Sequence, residues 1–253
     1  DLHLMTHSFP TRRSSDLITS SATVSAAENQ TAVTTVTSSD VDGGAPVYTI
    51  VGGADAALFT IDAAIGVLTF NSAPNFEAPS DAGGNNVYDV TVQVSDGNGG
   101  SDTQAIAVTV TNVNEAPVIT SSAAVSVAEN QTGVLTVTSS DVDGGAPAYS
   151  IVGGVDAALF TINPTSGVLA FVAAPNFESQ SDAGADNIYD VTVQVADGNG
   201  GTETQAIAVT VTNVNEAPVI TSGSAVTVAE NQTGAITVTS SDVDGGAPAY
   251  TIV

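Results

Sequence analysis

The sequence predicts an all-β protein made of tandem seven-stranded Greek-key β-sandwiches. Three observations carry that prediction. The chain repeats itself at a fixed spacing of 101 positions: ENQT stands at 28–31, 129–132 and 230–233, and SSDVDGGAP at 38–46, 139–147 and 240–248. A long fixed period means one module copied along the chain. Within each copy, short Val- and Thr-rich runs alternate with Gly, Asp, Asn and Pro clusters, the pattern of strands and turns. No segment shows helical periodicity. A module of about 100 residues can bury one core, a normal size for a β-sandwich.

In the second copy, Val118–Thr120 and Val125–Val127 form a split first strand, and Val134–Thr138 follows. Ala148–Val152 is next, then Leu159–Ile162 and Val168–Phe171, two brief strands around a turn at Asn163–Gly167. The last two strands, Ile188–Val195 and Gln205–Val211, alternate apolar and polar residues. Val191, Val193 and Val195 fall on one face, and Ile207, Val209 and Val211 on the matching face of the next strand. The string DGNGG at 197–201 closes them into a hairpin through an Asn–Gly pair.

The module boundaries fall at TNVNEAPVI, residues 111–119 and 212–220. Pro117 and Pro218 fix φ there and stiffen the crossing. The expected division is repeat 1 at 18–117, repeat 2 at 118–218 and a truncated repeat 3 at 219–253. Residues 1–17 stand outside the pattern and hold both Arg, both His and the single Met. Their TRRSSDL string looks like a translated sequencing-adapter oligonucleotide, a non-native segment that carries no fold information.

Charge narrows the function. Without residues 1–17, the 27 acidic residues lose Asp1 and Asp16, which leaves 25 negative charges and no Lys, Arg, His or Cys. Nucleic acid and anionic membrane surfaces both require cationic patches, so neither is an expected partner. Cations are. The absence of Cys excludes disulfides and thiolate metal sites, and no apolar run is long enough to span a membrane. Catalysis is not expected: nucleophilic mechanisms normally activate Ser or Thr through His, and the repeats have none. A glycosidase-type carboxylate pair would occupy one cleft rather than recur in triplicate at strand ends.

The carboxylates that recur in register are Glu28, Glu129 and Glu230, with Asp40/Asp42, Asp141/Asp143 and Asp242/Asp244. PNFE, NVNEAP and the Asp of the DGNGG loop add further oxygen ligands. Calcium takes six to eight oxygens from carboxylates and carbonyls, whereas zinc and copper favour the His and Cys that are missing here. A lone DVD or DGNGG is ordinarily a turn. DVDGG does not complete an EF-hand, because position 12 from Asp40 is Val51 rather than Glu. Glycine-rich β-roll repeats require tandem nonapeptides, whereas DGNGG occurs once per module. Asp55, Asp81, Asp89 and Asp102 match no motif and are expected to be solvated surface charge. The Asn-x-Thr string in ENQT is also a glycosylation sequon, expected to be unused because it lies within the acidic motif.

Taken in order, these motifs resemble the cadherin repeat family, specifically the bacterial cadherin-like modules of large surface proteins. The resemblance covers residues 18–253. It implies immunoglobulin-like sandwiches strung end to end with Ca2+ at each joint. The family pattern is x-E-N, D-R-E, D-x-N-D-N-x-P, then D-x-D and D-x-G in the next module. Transferred to the first joint, it implies Glu28, Asn75, Glu77, Asn112, Asn114, Glu115, Asp141, Asp143 and Asp197. At the second joint it implies Glu129, Asn176, Glu178, Asn213, Asn215, Glu216, Asp242 and Asp244. Asp40, Asp42 and Asp96 would serve a joint on the N-terminal side. Two departures stand out: Asn75 and Asn176 replace Asp, and the linker is one residue short. Both imply weaker or fewer ions. The resemblance further implies an extracellular or cell-surface location, and a calcium-rigidified extension or cell-adhesion array. Its partners would be calcium, neighbouring repeats and cell-surface proteins or glycans. The competing expectation is a metal-independent sandwich spacer or carbohydrate-binding module. Exposed aromatic platforms would favour sugar, whereas Phe59, Phe70 and Tyr88 are expected to face the core.

Overall fold

A computed structural model describes residues 17–41 and 43–253. The non-native reading of residues 1–16 and the ligand role of Asp42 therefore lie outside the described residues. The chain divides into two compact units, Asp1–Val113 and Asn114–Val253.

In the first unit the strands are β1 (Leu17–Ile18), β2 (Thr23–Ala27), β3 (Ala32–Thr35), β4 (Ser38–Ser39), β5 (Val47–Gly52), β6 (Phe59–Ile61), β7 (Val67–Phe70), β8 (Val87–Ser95) and β9 (Ser101–Thr111). A four-stranded sheet runs β2-β9-β8-β5 and a three-stranded sheet runs β3-β7-β6, while β1 and β4 form a separate pair. The split first strand thus places β1 and β2 in different sheets. β2 pairs parallel with β9, and the remaining pairings are antiparallel. Leu17 pairs with Ser39, the same register in which Val118 pairs with Ser140 in the second unit, so Leu17 belongs to the strand pattern of the repeat.

The two sheets enclose a core dictated by the alternation of β8 and β9. Tyr88, Val90, Val92 and Val94 are buried on one face, opposite Ile106, Val108 and Val110. Phe59 stacks on Phe70 at 4.6 Å between centroids, and Tyr88 meets Phe70 edge-on at 5.2 Å, geometries that suit aromatic quadrupoles.

The second unit repeats this plan with β10 (Val118–Ile119), β11 (Ala124–Ala128), β12 (Gly133–Thr136), β13 (Ser139–Ser140), β14 (Ala148–Gly153), β15 (Phe160–Ile162), β16 (Val168–Phe171), β17 (Ile188–Ala196) and β18 (Thr202–Thr212). Its sheets are β11-β18-β17-β14 and β12-β16-β15. One local difference from expectation is a single 3-10 turn at Ala157–Leu159, so the next strand begins at Phe160 rather than Leu159. Beyond Pro218, only β19 (Val219–Ile220) and β20 (Ser240–Ser241) form.

Two sequence expectations about isolated acids are corrected. Asp55 and Asp81 are buried rather than solvated. Asp55 accepts the Ala82 and Asp89 N–H groups at 2.7 and 2.8 Å. Asp81 accepts those of Asn85 and Asn86, both at 3.0 Å. Asp55 and Asp81 both recur at the 101-residue period, as Asp156 and Asp182, but repetition alone does not distinguish a carboxylate that collects backbone N–H groups from one that faces water. Asp102 is half-buried and accepts the Ile18 N–H at 2.9 Å, tying β1 to β9. Asp89 is exposed, as expected.

Candidate metal centre

The most complete acidic cluster lies within the second unit. Glu129 directly follows β11, and the parallel pairing of β11 with β18 delivers it to the start of the 213–216 segment. Glu129 is 3 % exposed. Its Oε1 accepts the Val214 N–H and its Oε2 the Phe177 N–H, both at 2.8 Å. One buried carboxylate therefore fastens both the PNFE loop and the linker. Glu178 and Glu216, one from each fastened segment, join Glu129 with carboxylate oxygens all within 4.8 Å of one another.

Amides and backbone donors surround these carboxylates. Asn130 donates from Nδ2 to Glu216 Oε1 at 2.6 Å. Asn213 donates from Nδ2 to Glu178 Oε1 and to Asp244 Oδ1, each at 2.8 Å. The Glu216 N–H donates to Asp244 Oδ2 at 2.6 Å, and Asp242 Oδ1 accepts the Asp244 N–H at 3.2 Å. Asn215 donates to the Glu216 carbonyl at 2.9 Å. Glu216 Oε2 is buried and has no hydrogen-bond partner. Burial pushes the Glu216 carboxyl above its ordinary range, and the charges of Glu129, Asp244 and Glu178 add to the rise against the opposing Asn130 hydrogen bond. The Glu216 N–H, helped by the Asn213 amide, holds Asp244 below the usual carboxylate range.

A second acidic group in the same unit is built from the linker and the DVD and DGNGG turns. Asn114 donates to Asp197 Oδ2 at 2.6 Å, the main cause of a lowered Asp197 carboxyl. The Glu115 N–H reaches Asp143 Oδ2 at 2.7 Å, and Asp141 Oδ1 accepts the Asp143 N–H at 3.0 Å. Asp197 Oδ1 accepts the N–H groups of Asn199, Gly200 and Gly201 at 2.7, 3.0 and 3.0 Å. Gly201 is obligatory: a Cβ there would lie 2.3 Å from Asp197 Oδ2 and 2.7 Å from the Glu115 carbonyl. Asp141 and Asp197 line one small cavity with Ser139, Gly144 and Pro147, and Asp141 Oδ2 is buried without a partner.

The first unit repeats the local contacts. Glu28 accepts the Val113 N–H at 2.8 Å and the Phe76 N–H at 2.7 Å. Asn112 donates to Glu77 at 3.0 Å. Asp40 and Asp96 line the counterpart of the Asp141–Asp197 cavity. Asn75 and Asn176 use their Oδ1 atoms to accept the Ala78 and Ser179 N–H groups at 2.7 and 2.6 Å, closing their own turns. Asn130 was not among the residues expected from sequence. Its position directly after Glu129 in the x-E-N motif was the available signal, and its φ of 62° turns the amide toward Glu216.

The donor set fits calcium: oxygens alone, clustered carboxylates, a buried unpartnered Glu216 oxygen, and no Lys, Arg or His between residues 18 and 253 to neutralise them. Among the described residues no helix is long and apolar enough to cross a membrane.

Tandem β-sandwiches with acidic residues repeated at their ends define a class of modular repeat proteins. The chain belongs to the bacterial Ig domain family, which matches residues 15–109 and 114–210. Its repeats are cadherin-like. Protocadherin Fat 2 of Rattus norvegicus is 33% identical over 183 residues, 68% of this chain and 4% of that protein. The chain therefore spans a small fraction of the relative's length. EC22-24 of mouse cadherin-23 matches with a TM-score of 0.56 and 21% identity, over 92% of this chain and 79% of the other. Human CDH23 EC21-23 matches with a TM-score of 0.56 and 19% identity, over 92% and 81%. At these identities the structural matches speak to fold alone.

Proposed function

We propose that the repeats form a calcium-stiffened extension or adhesion array of a larger protein at the cell exterior. The observation that carries this reading is the buried, unpartnered Glu216 Oε2 within the Glu129–Glu178–Glu216 cluster, in repeats with no cationic side chain. Glu129, Glu178, Glu216 and Asp244 would hold the ion, with Asp242 beside them. Calcium would supply positive charge to carboxylates that otherwise repel. The same residue types recur 101 positions earlier as Glu28, Glu77, Glu115 and Asp143. Asn176, and Asn75 in the first unit, would offer an amide oxygen that also caps a turn.

Affinity should fall near 10⁻⁴–10⁻³ M, the range of extracellular modules. At about 100 times its dissociation constant, an ion adds roughly 2.7 kcal/mol to the state that binds it. Calorimetry of the 253-residue chain should show calcium binding that E129Q and E216Q each weaken, and small-angle scattering should show a better-defined maximum dimension with calcium than with chelator. No heat at millimolar calcium, or an unchanged scattering profile, would reject the reading.

One observation favours a metal-independent spacer instead. The Asn130 and Asn213 amides already cross-link Glu216, Glu178 and Asp244. A sugar-binding role has less support: in the two sandwiches every described Tyr and Phe is buried or half-buried, and the exposed Tyr250 belongs to the residues beyond Pro218.

A further inference from the structure

The PNFE loop is held from two sides. Glu129 accepts the Phe177 N–H at 2.8 Å, and Asn187 donates from Nδ2 to the Phe177 carbonyl at 3.0 Å. The first unit repeats both contacts, Glu28 with the Phe76 N–H at 2.7 Å and Asn86 with the Phe76 carbonyl at 2.8 Å. The peptides on either side of Phe177 are thereby fixed, and the second of them carries Glu178, a member of the carboxylate cluster.

Asn187 is 4 % exposed. Its own N–H donates to Asp182 Oδ1 at 3.2 Å, and its carbonyl accepts the Val211 N–H at 2.9 Å. Both Asn86 and Asn187 stand at left-handed φ, 62° and 60°. Left-handed geometry alone would be met better by Gly. An Asn brings a buried amide whose Oδ1 has no partner in either copy. An orphaned buried acceptor is unfavourable, so the side chain is retained for its donor end, the end that grips the Phe carbonyl.

We propose that Asn187, and Asn86 in the first unit, are positioning residues for the acidic cluster. Each locks the PNFE backbone so that the following glutamate is aimed at the buried carboxylate of its own unit, Glu178 at Glu129 and Glu77 at Glu28. Asp182 and Asp81 stand one step behind, holding the Asn backbone. The claim rests on the calcium reading of Glu129, Glu178 and Glu216, but its first consequence is measurable without metal.

The test uses N187G and N187D in the 253-residue chain. Both tolerate positive φ, and both delete the donor. In chelator, exchange of the Phe177 and Glu178 amides should accelerate roughly fivefold, the effect of one lost hydrogen bond, while Val193 and Val209 stay protected. Calcium affinity, read from the Glu178 and Glu216 amide shifts, should fall about tenfold or more, as for other residues that orient metal ligands. Unchanged exchange in both variants overturns the proposal. Faster exchange with wild-type affinity also overturns it, because the backbone would then be held for stability alone. A wild-type chain without calcium-dependent shifts rejects the calcium reading, and the exchange result then judges the loop clamp by itself.

Discussion

Residues 119–152 and 220–253 are nearly the same sequence in two different states. In the first, Val127, Val137 and Tyr149 are 8, 1 and 6 % exposed; their counterparts Val228, Val238 and Tyr250 are 42, 40 and 49 % exposed. β11 and β12 have no equivalents among residues 225–237. What survives in the later copy is local. Ser240 and Ser241 still pair with Ile220 and Val219, and the Thr221 and Thr239 hydroxyls still meet at 3.0 Å. The Asp242–Asp244 turn also remains. What is missing depends on distant partners: β11 pairs with β18 and β12 with β16, and positions 101 residues beyond those strands fall past residue 253. Val and Thr propensity alone does not make these strands; cross-strand packing does.

The largest expected effect follows from supplying the partners. Joining a copy of residues 153–217 after Val253 should complete a third sandwich. Burying a side chain such as Val228 or Val238 contributes about 1.5–3 kcal/mol each, so their amides should move from free exchange to core-level protection. If exchange there stays fast, the difference between the two copies lies in their few substitutions and not in missing partners.

A second pair of variants compares Glu129 with Glu230. Removing the Glu129 carboxylate strands two backbone N–H groups, those of Phe177 and Val214. Each unsatisfied group costs about 1–3 kcal/mol, so E129A should destabilise the second unit by roughly 3 kcal/mol in denaturant titration. Glu230 is exposed, and E230A should stay within about 0.5 kcal/mol. Equal effects would break the comparison. Core substitutions sharpen it: V137A should cost roughly 2 kcal/mol through a buried cavity, and V238A almost nothing.

The sandwich architecture was legible because its signals are periodic: alternation in Ile188–Val195 and Gln205–Val211, and turn chemistry at fixed offsets. The acidic cluster was legible in outline, since Glu129, Glu178 and Glu216 recur in register and the structure brings them together. Asn130 and Asn187 were not singled out, because an amide reveals its partner only once the chain is folded. Asp55 and Asp81 were misassigned as surface charge for the same reason. An Asp followed by Ala looks identical in sequence whether it faces water or collects backbone N–H groups, and its recurrence as Asp156 or Asp182 does not say which. The turn role of Asn75 and Asn176 was likewise hidden behind their place in a ligand motif.

The smallest expected effect concerns acid. Burial acts to raise the Asp182 carboxyl, but the N–H groups of Asp186 and Asn187 outweigh it and hold the group below its ordinary value. A depressed folded pKa contributes stability that is present above the unfolded value, about 3.9, and is lost as pH falls through the folded one. The second unit should therefore lose stability below about pH 4, and D182N should flatten that acid limb at some loss of stability at pH 7. Residues 219–253 hold no comparable buried carboxylate among those described, so their amide signals should change little over the same range. Thermal unfolding from pH 2.5 to pH 7 in chelator reads the first effect, and amide shifts of Val228 and Val238 read the second. An acid transition of equal size in both regions would mean that the loss comes from general charge repulsion. A transition confined to residues 118–218 and reduced by D182N would place it at the backbone clamp behind Asn187.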